Sequence, residues 1–496
     1  MNKILSFSLL LLVVLSPFSA KQREGQPKQL VFTHVTVIDA TGSSPKSNMT
    51  VVITNDRITE IGATAKIHIP QGAQIVDASN KFLIPGLWDM HVHDTCDQKW
   101  GRDVFLPMFI ANGVTGVRDM GGPNSGDPET VFRWRQEIKD GKLLAPRLFA
   151  AGYMLAGPVK GPKGILTVSN ESEARQAVDF VKQAGADFVK VKEMVTREAY
   201  FAIAAEAHQQ RIPLVGHIPT SVDAIEVADA GQRSIEHLDG IWFACSTEGK
   251  ELREESRREE LKMFTGKATQ SEAFRRFIAE TKRVGETYNE QKAVTIFKHL
   301  AKAGTWVCPT LAVMRSLAYA GDSSFQNDPR LNYIPNLVRW GWDPKRNGRT
   351  KSLTSDDYAT FKDHLQKSLE MVRTMHRVGV KLLAGTDTSP SLMDPLPYLF
   401  PGFSLHDELA LYVKAGLTPL EALQTATRNP AEFLGLLDRL GTLEKGKLAD
   451  LVLLEANPLQ DIANTEKINA VVVNGRFIDK AELQRMLADA EAAARK

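Results

Sequence analysis

The sequence has little of several features that would assign it to common protein classes. Only three cysteines, Cys96, Cys245 and Cys308, occur in 496 residues. They form no CxxC pair and allow at most one disulfide, which excludes a thiolate zinc site and a disulfide-stapled scaffold. Free or buried thiols are expected. An excess of one charge is missing too: 61 Lys and Arg stand against 59 Asp and Glu, a formal net charge of +2. A nucleic-acid partner needs a basic surface that releases counterions, and this balance does not supply one. Beyond the first twenty residues no run is long and apolar enough to span a bilayer, which takes ~20 residues. No GxGxxG follows a first strand, which removes the dinucleotide-binding form of the open α/β sheet. A hydrophobic content of 43% and a charged content of 24% are ordinary for a globular chain of this length. They suit one large domain with a satellite.

What is present begins with a leader-like segment. Residues 1–20 combine Lys3, the apolar run ILSFSLLLLVVL and the break SPFSA. That pattern predicts a signal peptide and an exported protein, periplasmic or extracellular, with no membrane insertion after the signal is removed. The dense charges of 250–283 alternate in sign and predict a solvated helical face.

Residues 29–84 read as β-structure: QLVFTHVTVIDATG, MTVVITNDRITEIG and AQIVDASNKFLIPG are β-branched runs separated by Asn, Asp and Gly turns. The same texture returns in 441–479, so one composite, β-sandwich-like satellite built from both chain ends is expected, followed by a C-terminal helix over 480–496. Between them, 85–436 alternates short apolar runs with amphipathic stretches. The runs are 87–93, 114–120, 146–154, 186–192, 212–218, 233–238, 305–311 and 381–387. Helical stretches close on glycines such as Gly113, Gly231, Gly304 and Gly379. Eight strand–helix units predict an α/β fold of the TIM-barrel, (β/α)8, type. The connections 240–289 and 312–357 are too long for bare loops and belong on the strand-end face of such a barrel.

Ligand-type residues gather at the C-terminal ends of these runs. His91 and His93 lie two apart on one strand, His217 ends IPLVGH, His237 follows SIE, and Asp387 ends LLAGTD. Lys190 lies between Val189 and Val191 with its side chain on the opposite face; Lys192 shares its parity. Several unrelated strands ending in such residues at one face predict a metal site. His34, His68, His208, His299, His364 and His376 fall in the β-structure, helices or linkers and read as structural or exposed. His406 and Glu408 suit either a role at the site or a helix start with an acidic first turn. Arg118 and Tyr153 could meet a substrate carboxylate, and Arg118 equally an internal acid.

The motifs PGLWDMHVH, GADFVKV, VGH, IEHL and GTD, with AGLTPLEALQTATRNPAEFLGL and LGTLEKGKLADLVLLEANP, resemble the amidohydrolase superfamily, nearest its imidazolonepropionase-like and prolidase-like branch. The resemblance spans nearly everything after the leader. It implies a barrel with a β satellite and a divalent-metal centre of two zinc-type ions, or one in the mononuclear relatives. His91, His93 and Asp387 would hold the more buried ion and His217 and His237 the other, with Lys190 bridging both as a carbon dioxide-derived carbamate. Lys192 stands where relatives often have tyrosine. The implied activity is hydrolysis of an amide-type C–N bond in a dipeptide or N-acyl amino acid, with Asp387 as proton shuttle. The rivals are ester chemistry on a lactone, carbamate or organophosphate, deamination of a cyclic imine, and an exported binding protein without turnover. A small-molecule substrate is the expected partner, and a homo-oligomer is compatible with the composition.

Overall fold

The computed structural model describes residues 28–93, 99–158, 160–391 and 396–496. The leader read at 1–20 and Cys96 lie outside these residues. Cys245 and Cys308 are free, buried thiols. Among the described residues no helix is long and apolar enough to cross a membrane.

Strands from both ends of the chain share one eight-stranded sheet. Its order runs Arg476–Asp479, Ile468–Val473, Leu451–Leu454, Phe82–Pro85, Gln29–Val37, Lys46–Thr54 and Arg57–Ala63, with Gln74–Asp77 also pairing onto Gln29–Val37. The two ends meet where Leu451–Leu454 lies antiparallel to Phe82–Pro85, Val452 opposite Ile84. Alternation along these strands puts Phe32, Val51, Ile53, Leu83, Leu451, Leu453 and Val472 into one apolar core. On the other face Val471, Val473 and Ile478 pack with Leu483 of the C-terminal helix Lys480–Ala494.

The intervening residues form parallel strands with helices between them, as the alternating pattern predicts. The strands fall into two groups rather than one continuous closed sheet. Leu87–Val92, Val114–Asp119 and Arg147–Ala150 make a three-stranded sheet; Ile165–Thr167, Met154–Ala156, Val189–Val191, Leu214–Gly216, Ser234–Glu236 and Trp306–Cys308 make a six-stranded one. The run 381–387 is not a regular strand. It touches its neighbours through single bridges, Leu382 with Val307 and Thr388 with Val92, and through hydrogen bonds such as Met90 N to Ala384 O. The physical reason is local. Asp387 takes a left-handed φ of 57°, which breaks the extended backbone a ladder needs. Between Ala150 and Met154 the chain likewise turns through Gly152 (φ 67°), separating the two sheets.

Strand side chains divide by parity. Val189, Val191, Ile235 and Val307 join the core against the helices, whereas Phe188, Val215, Trp306, Cys308 and Leu383 fill the space enclosed by the strands. The polar residues described next stand on that inner side. The two long connections fold as helices, Asp239–Cys245, Gly249–Phe264 and Gln270–Glu286 in the first and Leu311–Tyr319, Ser323–Gln326 and Asn336–Trp342 in the second.

Candidate active site

Four imidazoles and one carboxylate converge where the strands end. His91 Nε2 lies 3.2 Å from His93 Nε2, and both lie 3.3 Å from Asp387 Oδ1. His237 Nε2 is 4.0 Å from Asp387 Oδ2. The His237 ring centroid is 4.7 Å from that of His91 and 4.9 Å from that of His217. Exposure rises across the group, from a sealed His91 at 0% to His237 at 16% and His217 at 19%.

Backbone geometry makes the convergence. Strand alternation alone would send His237 and Glu236 to opposite faces; a left-handed φ of 62° at His237 turns its ring back toward the centre. Asp387 is turned in the same way. Left-handed backbone at non-glycine residues costs free energy and persists where the surroundings enforce it, commonly at functional sites. Gly385 of the GTD motif shows how tight the approach is: a Cβ there would stand 2.5 Å from Cys308 Sγ and 2.8 Å from His91 Cβ. Gly216 of VGH has a φ of 135°, and a Cβ would meet the Val191 carbonyl at 2.3 Å.

Each histidine has its Nδ1 occupied. His91 Nδ1 meets Glu236 at 3.0 Å, His93 Nδ1 the Gly121 carbonyl at 2.8 Å, His217 Nδ1 Glu193 at 2.5 Å and His237 Nδ1 the Thr310 hydroxyl at 2.6 Å. The carboxylate and carbonyl partners of His91, His93 and His217 can only accept, so they leave Nε2 as the free lone pair, the arrangement found around metal-binding histidines. The Thr310 hydroxyl is compatible with the same tautomer of His237. Burial reinforces this. It holds His91 well below the usual imidazole range, with Lys190 adding to the effect, and it pushes His217 down to about 4 and His237 to about 3. These three rings are therefore neutral at pH 7. Asp387 is held below the usual carboxylate range: its own burial opposes this, but His237, His93 and Lys190 outweigh it.

Lys190 is fully buried, and its Nζ has no hydrogen-bond partner. Burial lowers its pKa to about 8. An orphaned amine of lowered basicity beside converging imidazoles and a carboxylate fits a site that takes cations and a modified lysine. His91, His237 and Asp387 offer ligand atoms close enough to share one ion, as do His91, Glu236 and Cys308. Lys192, which shares strand parity with Lys190, instead faces the cavity, 3.8 Å from Glu193.

Several participants were not singled out from sequence. Glu236 is sealed beneath His91 and held by Arg118 at 2.7 Å; Arg118 also donates to Met90 O and Ser234 Oγ. Arg118 is thus an internal ion-pair partner, not a contact for substrate. Asp89 accepts from the Thr386 hydroxyl at 2.6 Å and from its backbone N–H, tying 87–92 to the Asp387 loop. Glu193 and Thr310 orient His217 and His237. A charged residue within a buried apolar strand, true of Asp89 and Glu236, is the signal that would have found two of these. His406 bonds Thr465 and the Asn112 carbonyl, and Glu408 accepts from the Leu311 and Ala312 N–H groups. Both serve structure. Tyr153 packs edge-on against Phe180.

The centre opens into a cavity of about 1080 Å³, the scale of a small-molecule site. His93, His217, His237 and Asp387 form its floor, and the helices Gly249–Phe264 and Gln270–Glu286 contribute a wall. One side of the charged 250–283 stretch therefore faces this cavity and not bulk solvent alone. His364 is buried and lines the cavity as well.

A protein-family model described as the Amidohydrolase family matches residues 82–478. Among curated proteins, the ochratoxinase of Aspergillus niger is 21% identical over 487 residues, covering 86% of this chain and 81% of its own. Among solved structures, a bottromycin amidohydrolase superposes with a TM-score of 0.69 at 22% identity, over 95% of this chain and 91% of that one. A Xaa-Pro dipeptidase with methionine bound in its active site gives 0.62 at 19% identity, over 91% and 100%.

Proposed function

Because the chain belongs to the amidohydrolase family, an enzyme family that hydrolyses C–N bonds, we propose that it is a metal-dependent hydrolase of an amide bond in a dipeptide or N-acyl amino acid. The observation that carries this reading is the convergence of four Nε2 lone pairs and Asp387 around a buried, unpartnered Lys190. His91, His93 and Asp387 would hold one divalent ion, zinc-type, and His217 and His237 a second. Lys190, uncharged, would add carbon dioxide and present the resulting carboxylate to both. A bound divalent ion supplies Lewis acidity that activates water and polarises a carbonyl.

The protein's own groups do the rest. Asp387 Oδ1 is committed to the His91 and His93 side, so Oδ2, turned toward His237 and the cavity, is the atom that accepts the water's proton. The same oxygen returns that proton to the departing amine, a general base and then a general acid. Glu236, Gly121, Glu193 and Thr310 hold the four rings in register throughout. Similarity to a bottromycin amidohydrolase and a Xaa-Pro dipeptidase favours an amide over an ester or imine substrate. Export, suggested by the first twenty residues, is part of the same proposal and is read by fractionating expressing cells.

The test is a panel of dipeptides, N-acyl amino acids, lactones and carbamates, assayed on protein stripped by chelator and on protein reloaded with zinc. Amide turnover that disappears with stripping and returns with zinc is expected. Turnover of esters alone, or activity indifferent to chelation, refutes the reading.

A further inference from the structure

Beyond the catalytic floor, the cavity wall carries two carboxylates whose donors are hydroxyls alone. Glu260, on the helix Gly249–Phe264, and Glu280, on Gln270–Glu286, both line the cavity. Thr220 donates to Glu260 at 3.2 Å, and Ser256 donates to Glu280. On the inserted helices Arg276 pairs with Glu259, and Arg283 with Glu248, Glu251 and Glu255. Lys192 bears on Glu260, yet it stands closest to Glu193, at 3.8 Å. Burial, then repulsion from Glu193 and Glu280, raises Glu260 well above the carboxylate range, and burial raises Glu280 to about 7. Lys192 offsets Glu260 only in part, and no cation bears on Glu280.

A second observation comes from the helix Ser355–Arg377, which packs against Gln270–Glu286. His364 is 5% exposed and its ring tilts against Trp242 with centroids 4.3 Å apart. The backbone of Thr281, the residue after Glu280, lies beside this ring. The His364 Nδ1 is buried and has no hydrogen-bond partner, and an unmet buried polar atom is costly. Phe243, Phe274 and Phe277 supply apolar surface along the same cavity. Apolar walls leading to two carboxylates and an unmet imidazole nitrogen suit an aliphatic stem that ends in several N–H donors.

We propose that Glu260, Glu280 and His364 form a specificity recess for a cationic side chain, guanidinium or ammonium, so that the preferred substrates are amides of basic amino acids. This inference rests on the amide-hydrolysis reading above. The recess lies on the inserted helices, apart from the metal-type floor, so selectivity can be altered without removing a ligand.

The test compares Ala-Arg with Ala-citrulline and Arg-Ala with citrulline-Ala, pairs that differ in charge but hardly in shape. For the zinc-loaded enzyme, one arginine member should exceed its citrulline partner in kcat/KM by about 10- to 100-fold, the range of a charge-assisted hydrogen bond. The double variant Glu260→Gln/Glu280→Gln should bring that ratio to within about threefold of one, with its melting temperature checked against the parent. His364→Phe, which keeps the ring beside Trp242, should lower the ratio partway. Ratios near one for both pairs in the parent, or a ratio unmoved by the double variant and by His364→Phe, overturn the inference. If no dipeptide is cleaved, the hydrolysis reading fails instead. Calorimetric binding of N-acetyl-argininamide against N-acetyl-citrullinamide then decides the recess: preferential binding of the arginine compound, lost in the double variant, supports it, and equal binding refutes it.

Discussion

Arg118→Met is the perturbation whose cost the structure fixes most closely. Arg118 and Glu236 are both fully buried, 2.7 Å apart, and Arg118 also donates to Met90 O at 2.6 Å and to Ser234 Oγ at 3.0 Å. Methionine preserves much of the stem's volume but removes the cation. Glu236 would then be a buried carboxylate with only Ser234 and His91 as partners. Breaking one side of a buried pair costs about 3–5 kcal/mol, most of it the uncompensated charge that stays behind. Neutralising that charge should recover a large part of the loss. Arg118→Met/Glu236→Gln keeps an acceptor for His91 Nδ1 and is expected to be more stable than the single variant by about 1–3 kcal/mol. Urea unfolding followed by tryptophan fluorescence, at one fixed metal concentration, measures both. A single variant within about 1 kcal/mol of the parent, or a double variant no more stable than the single, would refute the placement of this ion pair as a structural prop.

Asp387→Asn should retain part of the bound metal while turnover falls ~10²-fold or more, the scale of a lost proton-transfer group; near-normal turnover would remove Asp387 from that role. Burial pushes His406 down to about 4, so it is neutral in the fold while the unfolded chain takes up a proton below about 6.5. The stability this provides is fully present above that pH and is lost as pH falls toward 4. His406→Gln should therefore lose about 2 kcal/mol less than the parent between pH 7 and pH 4.5, read from urea midpoints; parallel losses would contradict it. Truncation after 440 removes Leu451–Leu454, Ile468–Val473 and Arg476–Asp479 from the shared sheet. It should expose the edge of Phe82–Pro85 and cause aggregation; a soluble, cooperatively melting product would show that the N-terminal strands stand alone.

The strands at 87–93, 114–120 and 212–218 were readable because short, wholly buried runs leave a direct trace in residue type. The eighth run, 381–387, read as a strand equally well. Its failure to pair regularly comes from the left-handed turn at Asp387, which an aspartate does not announce as a glycine would. The ligand-type histidines were legible because they end strands; their Nδ1 partners were not. Glu193 and Thr310 lie in loops whose pose depends on tertiary packing, and the Gly121 contact uses a carbonyl that every residue possesses. His364 illustrates the other limit. Its place on a helix at 355–377 gives no hint that the inserted helix Gln270–Glu286 packs over it and closes a cavity around its ring.

The central claim is that His91, His93, Lys190, His217, His237 and Asp387 form a metal centre, and metal-to-protein stoichiometry by plasma mass spectrometry tests it most directly. The parent should carry divalent metal, His91→Ala should lose it, and Lys190→Ala should retain about one ion fewer than the parent, since a bridging lysine serves both positions. Lys192→Ala should match the parent. Metal content unchanged in both His91→Ala and Lys190→Ala would contradict the account.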